Sequence, residues 1–97
     1  MTIGVIAKIK IKPNAAEAFE QTFTQLGQAV NDKEVGNTFY QLYRSVDESN
    51  TYTVLEQYTD KAALTLHENS EHFQYFVGQL AEFMLGAPEL ELLEGVS

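Results

Sequence analysis

The apolar residues of this chain change period as it runs, and the order of those changes leaves few folds open. Ile3, Val5, Ala7, Ile9 and Ile11 alternate with Gly4, Ile6, Lys8 and Lys10, the pattern of a strand with one wholly apolar face. Lys12-Pro13 ends it, because proline brings no donor to a ladder. Asn14, with Glu17 three positions on, reads as a capping box, and Phe19, Phe23, Leu26 and Val30 form one stripe of the helix that follows. Gly27 weakens that helix by ~1 kcal/mol relative to alanine, fraying is expected over 31–33, and Gly36 turns the chain. Residues 39–46 make a second strand, with Phe39 and Tyr43 on one face and Tyr40, Leu42 and Val46 on the other. A polar loop over 47–50 leads into a third strand over 51–58, so these two strands are expected to pair antiparallel.

Asp60 reads as the cap of a short helix over 61–68, and Ser70 as the cap of the next. In that second helix Phe73, Phe76, Val77, Leu80, Phe83 and Met84 form the strongest apolar stripe of the sequence, stopped by Gly86 and Pro88. Residues 90–93 are a short closing strand. The order β-α-β-β-α(α)-β is the split βαβ pattern of an α+β, ferredoxin-like sandwich with an antiparallel sheet, in one domain over residues 1–97. Helices on one face leave the other bare. Ile6 and the two-sided apolar second strand make part of that bare face greasy, which predicts a homodimer packed sheet against sheet.

Charge narrows the partners. Fourteen acidic against 6 basic residues give a net charge of −8, the wrong sign for a phosphate backbone or an anionic membrane surface. The chain has no cysteine, so disulfides, thiolate metal sites and cysteine nucleophiles are excluded. No apolar run approaches the ~20 residues of a membrane helix. The opening residues lack a basic leader region and a small-residue cleavage site, so a cytoplasmic location is expected. A small molecule or another protein, not nucleic acid or membrane, is the expected partner.

Titratable groups gather where the third strand hands over to the helices. Both histidines, His67 and His72, lie there five positions apart, and Glu56 is a carboxylate in a strand otherwise built of aromatic, aliphatic, Thr and Gln residues. On one continuous helix five residues separate two side chains by about 140°, too far to share an ion, so no metal is expected unless the break at Asn69-Ser70 brings them together.

The run YTVLEQYTDKAALTLHENSEHF resembles the signature of the antibiotic biosynthesis monooxygenase (ABM) domain. An aromatic strand ends Glu-x-aromatic, a short Ala-rich helix ends in His, and the next helix opens Ser-x-His-aromatic. The first strand and the FYQLYRSVDES hairpin fit as well, so the likeness covers nearly the whole chain and is similar in particular to the small quinol monooxygenases. The resemblance implies a dimeric α+β barrel and an oxygenase with no cofactor, acting on a small quinol or phenol. It implies catalytic roles for His67, His72 and Glu56, with Glu56 open to a second reading as an anchor for a neighbouring helix or hydroxyl. Tyr52, Tyr58, Phe73 and Phe76 are the candidates to line a flat aromatic pocket, and Arg44 to support an anion; ordinary core packing and an ion pair across the hairpin are the alternatives. There is no tryptophan, on which haem-degrading relatives depend, and Tyr58 stands where several oxygenases carry one.

The implied chemistry is self-consistent. A deprotonated quinol can itself reduce dioxygen, so the protein supplies a base, an apolar pocket and donors for the anion. A phenol near pKa 10 and a histidine near 6.5 differ by roughly 3.5 units, about 5 kcal/mol, so neighbours must stabilise the anion. Two rivals remain at this level: an isomerase of a small phosphorylated ketone signal, which the acidic balance opposes, and a ligand-binding dimer without turnover.

Overall fold

Strand β1 (Ile3–Lys10) turns Val5, Ala7 and Ile9 toward the helices, and each is buried. A computed structural model, which describes residues 1–96, places β1 at the heart of a four-stranded sheet. The other elements are α1 (Ala16–Lys33), β2 (Asn37–Arg44), β3 (Thr51–Tyr58), α2 (Lys61–Glu68), α3 (Glu71–Ala81) and β4 (Glu89–Glu94). The sheet order is β2-β3-β1-β4 with every neighbouring pair antiparallel, which is the ferredoxin-like arrangement expected. Among the described residues no helix is long and apolar enough to cross a membrane.

Each helix forms for a local reason. The stripe Phe19, Phe23, Leu26 and Val30 is buried along its whole length, each side chain contributing about 1.5–3 kcal/mol. Asp60 accepts from the Ala63 amide at 2.8 Å, and Ser70 Oγ accepts from the Phe73 amide at 3.2 Å, so both of these caps are as expected. The capping box at Asn14 is not. Asn14 has φ 67°, the Ala15 amide donates to the Lys12 carbonyl, and α1 begins with Ala15 as an N-cap that makes no side-chain bond. Pro13 followed by a left-handed Asn14 is the chemistry of a type II turn, and it took precedence over the cap.

Several strand and helix ends also differ from expectation. β2 starts and stops two residues early, because Ser45 Oγ accepts from the Asp47 and Glu48 amides and turns the chain before Val46. α3 stops at Ala81, so Phe83 and Met84 leave the helix. The Phe83 carbonyl accepts from the Lys12 amide, the Leu85 amide donates to Lys10, and Met84 bridges to Ile11. Pairing with the end of β1 replaces the last helical turn.

Burial is uneven. On the helix-free face of the sheet Ile6 and Leu55 are half-buried, while Phe39, Tyr43 and Leu93 are exposed. The helices also stop short of β4, an edge strand, leaving Leu90 and Leu92 exposed on the helix side. The stripe of α3 is the strongest in the sequence, yet only Leu80 of that helix is fully buried. Space beneath α3 accounts for this.

Gly36, between α1 and β2, lets α2 come close: a Cβ built on it would lie 2.5 Å from Ala63 Cβ. Gly36→Ala should therefore lower unfolding stability by about 1–3 kcal/mol in urea titrations, since α2 must shift or strain to admit the methyl group. Adding Ala63→Gly to the same chain should recover part of the loss. An unchanged midpoint in the single variant would refute the contact.

Candidate functional site

The break at Asn69-Ser70 is the feature that builds the site. The Ser70 hydroxyl donates to the His67 carbonyl at 2.7 Å while capping α3, so α3 leaves at an angle instead of continuing α2. The separation of about 140° that a continuous helix would impose therefore does not apply. His67 Nδ1 lies 2.8 Å from Glu34 Oε2 and 3.0 Å from Oε1, and His72 Nε2 lies 2.5 Å from Oε2. Ser70 Oγ stands 3.2 Å from the same His72 nitrogen. The side chains are 2% (His67), 10% (His72) and 9% (Glu34) exposed.

These contacts fix tautomers, since a nitrogen against a carboxylate oxygen must present its proton. Burial lowers the pKa of His67 and outweighs the opposing hydrogen bond to Glu34. His67 is thus neutral at pH 7, with Nδ1–H donated to Glu34 and the lone pair on Nε2. Its ring packs on Phe73, Tyr58 and Tyr40 at centroid distances of 4.4, 5.3 and 5.5 Å.

Glu56 belongs to a different space. A chamber of about 170 Å³ lies between the sheet, α1 and α3, walled by Ala7, Ile9, Val54, Phe73, Val77 and Leu80 among others. Its polar wall groups are Glu56 and Tyr40. The Tyr58 hydroxyl donates to Glu56 Oε1 at 2.7 Å, so the anchoring role expected as an alternative exists alongside a cavity position. Burial raises the Glu56 carboxyl to about 7; the Tyr58 bond opposes this and the nearby Glu34 and Glu68 charges add to it. Burial first, and then the neighbouring Glu56 and Glu34 charges, push the Tyr40 and Tyr58 phenols up, so both remain protonated donors.

The expected residues therefore do not share one site, and Tyr58, buried against His67, does not line the chamber. His67 and His72 come together, but across Glu34, a residue the sequence reading passed over. Glu56 and Phe73 share the chamber, with His67 one aromatic layer behind its wall. His72 instead borders an open hollow of about 490 Å³ on the outer side, with Glu34 and Ser70. Arg44 and Tyr52 lie apart. They line a groove of about 340 Å³ separated from the chamber by the stacked Phe23–Tyr40 rings, 5.6 Å apart and 8° from parallel. There Tyr52 and Arg44 both donate to Glu20 Oε2 at 2.6 Å, which pairs Arg44 with α1 and not across the hairpin. The Tyr52 and Arg44 hydrogen bonds hold the Glu20 carboxyl below its usual range. Phe76 packs against the main core and edge-on to Tyr75 instead of lining the chamber. Tyr40, which does line it, was not among the expected pocket residues.

Glu56 makes stability depend on pH. Its pKa is raised on folding, so its contribution is fully present below the unfolded value near 4.5 and is lost as pH rises through about 7. Glu56→Gln removes the charge that burial opposes. Thermal melts should show the variant gaining on the parent by ~3 kcal/mol at most at pH 8 and by little at pH 4. A gain that is the same at both pH values would contradict this account.

Comparison with known proteins agrees with the fold. The sequence model of the antibiotic biosynthesis monooxygenase family matches residues 2–79. A Bacillus subtilis protein, YcnE, whose name provisionally assigns it as a monooxygenase, is 40% identical over 82 residues, 84% of each chain. A structure from Caulobacter crescentus, provisionally described as an antibiotic biosynthesis monooxygenase, is 38% identical with a TM-score of 0.96, covering 99% of this chain and 91% of that one. A conserved protein from Methanosarcina mazei is 27% identical with a TM-score of 0.89, over 96% and 91% of the two chains. The chain belongs to the antibiotic biosynthesis monooxygenase family.

Proposed function

We propose that this protein is a cofactor-independent monooxygenase of a small quinol or phenol, bound in the chamber beneath α3. The observation that carries the reading is an apolar cavity with one carboxyl in its wall, poised near neutrality. Its volume of about 170 Å³ suits a single aromatic ring, since an apolar cavity of ~150 Å³ takes up benzene. The family membership and the provisional monooxygenase names of its relatives point the same way.

Glu56 is the proton acceptor in this proposal. Of the two histidines expected to include the base, His67 lies behind Phe73 and Tyr40 rather than at the surface of the chamber, and His72 borders the outer hollow. A carboxylate at about 7 facing a phenol near 10 leaves a gap of ~3 units, about 4 kcal/mol, smaller than for an ordinary histidine. Tyr40, held protonated, donates to the developing oxyanion. His67 positions the wall from behind, oriented by Glu34. The quinolate passes one electron to dioxygen, and the resulting pair joins at a ring carbon bearing hydrogen, forming a C–O bond. The O–O bond then breaks: one oxygen stays on the ring as a carbonyl, and the other leaves as water with the ring hydrogen and the proton first taken by Glu56. The four electrons that reduce dioxygen all come from the substrate.

The exposed apolar face is proposed to pair with a second copy, sheet against sheet. Exposed Phe39, Tyr43 and Leu93, with half-buried Ile6 and Leu55 between them, provide the apolar patch that a second copy would cover. In sedimentation the parent protein should run at twice the monomer mass, and Phe39→Glu with Tyr43→Glu should halve it. A monomeric parent would end this part of the proposal.

Oxygen uptake on a panel of small quinols tests the chemistry. The expected result is uptake with one labelled atom from 18O2 in the organic product. Activity should rise with pH through about 7, and Glu56→Gln should lose about 10²- to 10⁴-fold in kcat/KM. Full activity of Glu56→Gln with loss in His67→Ala would return the base to the histidine. Isomerised product without oxygen uptake would replace the reaction altogether.

A further inference from the structure

We propose that Glu34, His67 and His72 form a binding site for one divalent transition-metal ion of the zinc class, distinct from the chamber. Three donor atoms, one from each residue, lie within 4.8 Å of one another. They come from the end of α1, the last turn of α2 and the first turn of α3, and two of them already converge on a single carboxylate oxygen. Two imidazoles and one carboxylate are the donor set of three-ligand zinc sites, and they suit zinc, cobalt or nickel better than magnesium or calcium.

The site has what an ion needs in order to enter. His72 and Glu34 open onto the outer hollow of about 490 Å³, which gives a path and room for a water as fourth ligand. The protons now pointed at Glu34 need not leave the protein, because each imidazole can carry its proton on the other ring nitrogen. The carboxylate would then move outward from between the rings, and the ion would take its place at the centre. Ser70 Oγ, 3.2 Å from His72 Nε2, stands beside the ligands as a further polar neighbour.

Sequence spacing argued against any shared ion, but only for an unbroken helix, and the Ser70 cap removes that condition. Hydrogen bonds alone are the competing account: the trio is already satisfied without an ion, and Glu34 simply ties the helix ends together. The two accounts differ in what happens when metal is added.

The experiment is calorimetric titration of Zn2+ into untagged, chelator-stripped protein with Mg2+ in excess, so that surface carboxylates do not report. One ion per chain at micromolar affinity or tighter is expected, weakened more than about tenfold in both His72→Ala and Glu34→Gln. Co2+ should bring visible absorption of a low-symmetry nitrogen–oxygen site, a readout that does not depend on any reaction. Glu56→Gln should bind zinc as the parent does, which separates failure of this site from failure of the oxygenase reading. The absence of zinc binding in the parent protein, or equal affinity in the parent and a folded His72→Ala, overturns the proposal.

Discussion

A single carboxylate ties the three helices together at one end. Glu34 sits at the C-terminal end of α1, nearly buried, and accepts from a histidine of α2 and a histidine of α3. A carboxylate buried without partners costs several kcal/mol, and here its two oxygens are met from two directions. The arrangement makes the angle between α2 and α3 a consequence of hydrogen bonding as well as packing. Phe73 follows His72 by one residue, so the same angle sets a wall of the chamber.

The chamber itself comes from packing left incomplete. α1 fills its share of the sheet with Phe19, Phe23, Leu26 and Val30, whereas α3 stands off with most of its apolar stripe half-buried. Into that gap β3 turns Glu56, between buried Val54 and Tyr58. The acid is disfavoured there as a charge and welcomed as a neutral group, and the Tyr58 hydroxyl splits the difference. A carboxyl balanced in this way can exchange a proton near neutral pH, which neither an exposed glutamate nor a fully sealed one does.

Local chemistry was legible in the sequence where it stayed local. The Asp60 and Ser70 caps, the bounds of β3 and α2, and the buried stripe of α1 follow from residues within a few positions of each other. Errors arose where two local rules competed, as at Asn14, or where distant backbone intervened, as when β1 drew Phe83 and Met84 out of α3. Glu34 was invisible for a different reason: it lies 33 residues from His67, and no periodicity connects them. One signal was present. An acidic residue at a helix C-terminus opposes the macrodipole, and a breach of that kind marks a group compensated by something remote. The division of the aromatic residues between chamber, groove and core was not legible, because face assignments do not say which helix covers which strand.

The edge of the sheet at β4 carries a consequence for the behaviour of the chain in company. An edge strand with bare leucines invites templated stacking by other molecules, as in fibrils. In β4, however, Glu89 and Glu91 flank Leu90, and Glu94 closes the strand after Leu92 and Leu93. Like charges would face one another in the in-register pairings, parallel or antiparallel, that set two such edges side by side over their full length, so this open edge is also electrostatically fenced.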